Sequence, residues 1–276
     1  MADISAKDVM KLRNRTGLSM MACKKALVET EGDLEAAENH LRKQLKGKME
    51  KRADRVAGEG RVAVAVAGDG KSAAIVELKA ETDFTARNQK FIDLAQQLAD
   101  KACAAEGSGN VELGDEMTQA VEAIKAETGE NISVGRIAKV EAEGDTKFGT
   151  YVHHDGKTGV LIVAQGDVGE ETLKQVGMHV TAAVPRPLGV SADDIPEELV
   201  KKERKFRVEQ AMESGKPQEI AEKMVEGGMK KFFAEVALLE QKFVMDENKT
   251  IREVIAPGTI TAFHRWQVGE SGDEDA

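Results

Sequence analysis

Apolar positions over the first 46 residues recur at the three- and four-residue spacing of a helix face, and polar caps divide them into three segments. Ser5, with Asp8 three residues on, opens a helix whose face is Val9 and Leu12 and which Thr16-Gly17 ends. Ser19 caps a second helix through Leu27 and Glu29, broken at Gly32; Asp33 caps a third with Leu34, Ala37, Leu41 and Leu45 on one stripe. These predict a compact three-helix bundle. Lys46–Ala57 is basic, poor in large apolar residues, and reads as a linker or a solvated helix extension.

From Gly60 the period changes to two. The run R-V-A-V-A-V-A and the apolar stretch Ala73–Ala80 flank Asp69-Gly70, a hairpin signal because glycine takes the positive φ of the turn without strain. The second strand then passes through E-T-D-F-T-A-R-N (Glu81–Asn88) into a helix marked by Phe91, Leu94, Ala95, Leu98 and Ala102. Phe84 is the misfit in that polar turn. Position alone favours a core residue tucked under the helix start, since Phe is usually buried; the alternative is an exposed apolar tip on a strand-to-helix junction, where binding residues are often presented.

The hairpin recurs. D-G-K-S-A-A-I-V at Asp69–Val76 matches D-G-K-T-G-V-L-I at Asp155–Ile162, with a strand-like run Phe148–His153 before it and a helix-like Leu173–Ala183 after it, which predicts two related α+β halves. Between them Glu116–Glu127 is helical and Ile132–Val140 strand-like. Beyond Pro185-Arg186-Pro187, Pro196 suits a first helical turn; Glu197–Glu213 follows, with Leu199 and Phe206 on its apolar side, joined where the spacing allows by Val200, Val208 and Met212. Ser214-Gly215-Lys216-Pro217 stops and restarts the chain into Pro217–Glu226, with Ile220 and Met224 apolar, so the two helices form an antiparallel hairpin: an internal brace, or an arm for dimerisation or partner contact. Met229–Met245 and Ile251–Val268 re-enter the body, and G-E-S-G-D-E-D-A is an acidic tail.

Composition narrows the function. The net charge of −10 argues against non-specific nucleic-acid binding, and 4% aromatic residues leave little for base stacking. Residues 1–55 carry 13 Lys/Arg against 9 Asp/Glu, which marks the N-terminal piece as a module with its own surface. No apolar run reaches the roughly 20 residues of a membrane span, and the N-terminus lacks a secretory pattern, so a cytoplasmic protein without membrane contact is expected. Cys23 and Cys103 have no metal-binding or disulfide spacing. Gly70-Lys71-Ser72 is not a phosphate loop, because the upstream Gly is replaced by Ala65; His153-His154-Asp155 is a turn whose side chains point different ways rather than a metal site. Nothing resembles a catalytic constellation. No enzyme activity, cofactor or metal is expected, and the residues alone suggest a multi-domain α+β interaction protein.

Five motifs carry a resemblance: T-G-L-S-M-M-A-C-K-K-A-L (Thr16–Leu27), E-T-D-F-T-A-R-N, G-E-N-I (Gly129–Ile132), Y-V-H with G-V-L-I-V (Tyr151–Val163) and S-G-K-P-Q-E-I-A-E-K-M-V-E-G (Ser214–Gly227). In order along nearly the whole chain, they resemble the bacterial translation elongation factor Ts family, guanine-nucleotide exchange factors of elongation factor Tu. The resemblance implies a ubiquitin-associated-like three-helix domain with linker at 1–55, a first core half at 56–140, a second at 141–184 and 229–263, a helical hairpin at 185–228 and a C-terminal segment at 264–276. It implies elongation factor Tu, GDP-bound and nucleotide-free, as the partner, with self-association through the hairpin as an alternative use of the arm. Asp83 and Phe84, with Thr82, Thr85 and Ala86, would disturb the partner's Mg²⁺ and phosphate site; Arg13, Met20 and Met21 would meet its GTPase domain, and His153 its C-terminal domain. The chain departs from the family at Ala22, often Asp, and at Thr85, usually Val, which would make the tip more polar. An adaptor that binds without altering nucleotide release remains the competing class.

Overall fold

The structure, a computed structural model, describes residues 4–50, 55–213, 215 and 217–270, with backbone alone for residues 45–50. The side chain of Leu45 in the third stripe, much of the basic linker, Ser214 and Lys216 of the arm's turn and the acidic tail from residue 271 lie outside the described residues.

Helices α1 (Ala6–Thr16), α2 (Met20–Glu29) and α3 (Leu34–Glu50) pack Val9, Leu12, Cys23, Ala26, Leu27, Ala37 and Leu41 into one small core. Their ends follow the side-chain chemistry: Ser5 and Ser19 accept the N–H groups of Asp8 and Ala22, and Gly17 closes α1 with φ 69. Asp33 Oδ1 accepts from both Glu35 N and Ala36 N at the start of α3.

Two three-stranded antiparallel sheets form the body. The first, ordered β1-β2-β3, contains β1 (Glu59–Val66), β2 (Ser72–Ala80) and β3 (Ser133–Glu141); α4 (Asp83–Ala86), α5 (Gln89–Ala104) and α6 (Asp115–Thr128) lie between β2 and β3 in sequence. The second, ordered β4-β5-β8, contains β4 (Lys147–Val152), β5 (Thr158–Gln165) and β8 (Thr259–Gln267). Within the second, α7 (Glu170–Ala182), α8 (Glu197–Glu213), α9 (Gln218–Val236), β6 (Lys242–Phe243), β7 (Asp246–Thr250) and α10 (Ile251–Ile255) intervene before β8. The protein is α+β.

The sheets stack face to face. Val62, Val64, Ala73 and Ile75 of the first meet Leu161 and Trp266 of the second. On the opposite face of the first sheet, Ala63, Ala65, Ala74, Val76 and Leu78 receive Phe91, Leu94 and Leu98 of α5; on that of the second, Val160, Ile162 and Ala164 receive Leu173, Val176 and Val180 of α7. The Val/Ala alternation in β1 is therefore one of size between two buried faces: valines meet the other sheet, alanines the helix.

The sequence repeat is a structural repeat. Ala67 N donates to Ser72 O at 2.8 Å, as His153 N does to Thr158 O at 2.9 Å. Gly70 N reaches Ala67 O at 2.8 Å, as Gly156 N reaches His153 O at 2.8 Å, with φ 70 and 72 at the two glycines. Asp69 and Asp155 each accept the N–H two residues on, from Lys71 and Lys157. Two further contacts join the sheets. Val62 N donates to Gly156 O at 2.9 Å. Fully buried Glu77 accepts from Arg136 Nε at 3.0 Å, and the same guanidinium lies 4.8 Å from the Trp266 ring centre.

Three expectations are corrected. The arm's seam is Val200 and Ala211 of α8 against Ala221, Val225, Met229, Phe232 and Phe233 of α9, whereas Leu199, Phe206, Val208, Met212, Ile220 and Met224 are exposed. The small Ala211 sets the seam because it lets the helices approach, which a count of large apolar residues overlooks. α9 runs on through Gly227-Gly228 to Val236: the Arg207 stem lies across Gly228, where a Cβ would stand 3.0 Å from Arg207 Cδ, so the glycine marks a close approach and not a stop. Residues 264–267 belong to β8, pairing with β5 through Leu161↔His264 and Gly159↔Trp266, so no separate C-terminal module begins at 264 among the described residues.

Candidate partner-binding site

The exit from β2 is built from short-range chemistry. Thr82, extended at φ −127 and ψ 153, caps the single turn α4, its Oγ1 accepting from Thr85 N at 3.3 Å; Asn88 then caps α5, accepting from Lys90 N at 2.9 Å. At about 100° per residue, a turn that packs Thr85 and Ala86 inward must send Asp83 and Phe84 outward. Thr85 is 8% exposed and Ala86 5%, while Phe84 is 84% exposed. Phe84 is thus no part of the core that position alone favoured. Asp83 sits beside it in an exposed ion pair with Arg87, Oδ2 to Nη2 3.3 Å.

The turn is braced from the loop after α6. Glu130 accepts three hydrogen bonds: Thr82 N to Oε2 at 3.2 Å, and Thr82 Oγ1 and Thr85 Oγ1 to Oε1, each at 2.7 Å. Next to it, Asn131 N donates to Glu81 Oε1 at 2.7 Å, and Arg55 Nη1 donates to Glu81 Oε2 at 3.1 Å. Asn131 Nδ2 in turn holds the Arg55 carbonyl at 2.9 Å, so the chain arriving from the N-terminal helices is pinned at the foot of the same turn. Charge-assisted hydrogen bonds of this kind fix geometry better than neutral ones. Thr85 does not make the tip more polar: its hydroxyl points down to Glu130. Sequence reasoning missed the roles of Glu81, Glu130 and Asn131, although the G-E-N-I motif stands directly before β3; donors and acceptor lie 45 to 50 residues apart, beyond any local pattern.

The other expected residues lie elsewhere on the surface. Arg13 is exposed on α1, and Met20 and Met21 are 51% and 74% exposed at the start of α2. Met21, Ala22 and Val28 line a shallow groove edged by Lys24, Lys25 and Glu29. Ala22 leaves no cap missing, since Ser19 supplies it. His153 is half-buried in the second hairpin turn, its Nδ1 3.3 Å from Tyr151 Oη and its ring 4.3 Å from that of His154. Arg13 and the methionines, the Phe84 turn and His153 occupy three different parts of the fold. Among the described residues there is no group of His, Cys, Asp and Glu able to hold a metal ion, and no helix is long and apolar enough to cross a membrane.

Residues 81–270 match the sequence profile of the family described as Elongation factor TS. Proteins named Elongation factor Ts are similar along almost the whole chain. One from Vibrio cholerae is 45% identical over 269 residues, covering 97% of this chain and 92% of its own. Relatives from Photorhabdus laumondii and Actinobacillus succinogenes are each 42% identical over 272 residues, covering 98% of this chain and 94% and 93% of theirs.

Proposed function

The chain belongs to the elongation factor Ts family, and from that premise we propose that Phe84 is the wedge with which it expels nucleotide from its partner. Membership makes it a translation elongation factor, the nucleotide exchange factor of elongation factor Tu. In the proposed mechanism Asp83 and Phe84 enter the partner's GTPase domain, disturb the Mg²⁺ and phosphate site and release GDP so that GTP can bind. The observation that carries this is an aromatic ring 84% exposed on a braced turn whose two following residues are buried. An exposed Phe on a rigid support contributes nothing to the core and loses little entropy on docking.

The energetics are those of linkage. A factor that binds the nucleotide-free partner more tightly than the nucleotide-bound one weakens nucleotide binding by the same ratio. A thousandfold faster release corresponds to about 4 kcal/mol, whereas burying one Phe side chain supplies only about 1.5–3 kcal/mol. Phe84 therefore needs anchors, and we assign them to the N-terminal module, through Arg13, Met20 and Met21, and to His153 on the second core half. Displaced Mg²⁺ would leave phosphate charge uncompensated and loosen GDP further. This chemistry needs no cofactor or catalytic group of the factor itself.

Release of a fluorescent GDP from elongation factor Tu, at fixed Mg²⁺, tests the proposal. Wild type should accelerate release, and Phe84→Ala should still bind the partner while accelerating much less. Tight binding by wild type with unchanged release would favour the adaptor class instead. The exposed apolar side chains Phe206, Met212 and Ile220 support a second role for the arm, self-association; a mass that rises with concentration in wild type but not in Phe206→Glu would establish it.

A further inference from the structure

We propose that Glu130 is the positioning residue of the exchange turn: its carboxylate sets the direction in which Phe84 points. This rests on the wedge reading above and adds a residue to it. α4 has four residues, far below the length at which a helix holds itself together in water. Its shape must be imposed from outside. Glu130 does so at two points that straddle Phe84, Thr82 two residues before it and Thr85 one residue after it. The bonds form a relay: Thr85 N donates to Thr82 Oγ1, and the Thr82 hydroxyl donates to Glu130 Oε1, which also receives the Thr85 hydroxyl. One carboxylate thereby fixes both ends of the single turn.

Its own support is firm. Gly129 closes α6 in the left-handed region at φ 71, with its N–H on Lys125 O, and Ile132, two residues beyond Glu130, is fully buried against the first sheet's helices. Glu130 thus joins the Phe84 turn to the start of β3 and to the core. Truncating it would strand the buried Thr85 hydroxyl and release the turn's C-terminal half, while leaving Phe84 itself chemically intact.

The test is a double-mutant cycle on GDP release from elongation factor Tu, with release rate measured against factor concentration for wild type, Glu130→Ala, Phe84→Ala and the double variant. Glu130→Ala should lower the maximal release rate about tenfold, with the half-saturating concentration within about threefold. In the Phe84→Ala background it should change the rate less than about twofold, because a residue that acts through Phe84 has nothing left to position. Glu130→Gln keeps an acceptor for the hydroxyls and should recover most of the rate. Equal slowing in both backgrounds, or an unchanged maximal rate, would overturn the assignment while leaving the wedge intact. An undiminished rate in Phe84→Ala alone would overturn the wedge and this assignment with it. Should Glu130→Ala not fold, Glu130→Gln and Thr85→Val carry the same cycle, each expected to show a smaller loss that vanishes in the Phe84→Ala background.

Discussion

The two central strands leave their sheets differently. β2 passes to α5 through eight residues, Glu81–Asn88, which include the turn α4; β5 passes to α7 through four, Gly166–Gly169. Upstream the two hairpins share turn hydrogen bonds, glycine conformation and an aspartate lock on the following N–H. Even the ladder irregularities correspond, between Glu77 and Leu78 and between Val163 and Ala164 on the side of the third strand. At the exit the likeness ends. The apolar residue of the short junction, Val168, is 3% exposed and packs in the second core, whereas Phe84 stands in solvent. A strand-to-helix step in this fold can bury its apolar residue in four positions, so the longer, braced and outward-facing junction answers a demand other than folding.

Substitutions can break that contrast or sharpen it. The largest stability effect should come just past the long junction: Phe91→Ala, emptying a fully buried site in α5, should cost about 3–5 kcal/mol in urea unfolding. Val168→Ala at the short junction should cost about 1–3 kcal/mol by the same measurement. Phe84→Ala should lie within about 0.5 kcal/mol of wild type, as exposed positions do, yet lose most of the GDP-release activity; a cost comparable to that of Val168→Ala would mean the two junctions are alike after all.

Acid should separate the two sheets as well. His179, 1% exposed on α7, has Nδ1 accepting from Val244 N at 3.3 Å and Nε2 bonded to Gln241 Oε1 at 3.0 Å, and burial holds its pKa below the ordinary 6.5. The unfolded chain takes up that proton more readily, so this contribution to stability is present above pH 6.5 and is lost as pH falls below it. No other histidine is buried among the described residues. Amide protection, taken relative to the intrinsic exchange rate at each pH, should accordingly fall between pH 7 and pH 5.5 around α7 and residues 236–244 before it falls in α5. The smallest effect is expected for His153→Ala: a few-fold weaker half-saturating concentration with an unchanged maximal rate of GDP release.

Local chemistry was the legible part. Ser5, Ser19 and Asp33 announced three helices because capping is settled within four residues, and D-G-K twice announced two hairpins because a tight turn admits few sequences. The arm's face was misread because helices pack where side chains are small, and Ala211 carries no apolar signal comparable to Phe206. Phe84 was ambiguous for a related reason: its exposure is decided by the inward turning of Thr85 and Ala86, which a hydropathy pattern ranks below a phenylalanine. Glu130 was illegible, since its partners arrive through the tertiary fold. The motif that contains it could be recognised, but what it holds could not be.

The bond from Val62 N to Gly156 O fastens the tip of the second hairpin to the outer strand of the first sheet. If Phe84 and His153 both touch the partner, as proposed, they act as the two jaws of a caliper whose opening this packing holds. A body gripped in such an instrument retains those of its own conformations whose span fits the opening and loses the rest. On that reading the tool also gauges length, and a partner whose span changed as it emptied would be sorted by that gauge.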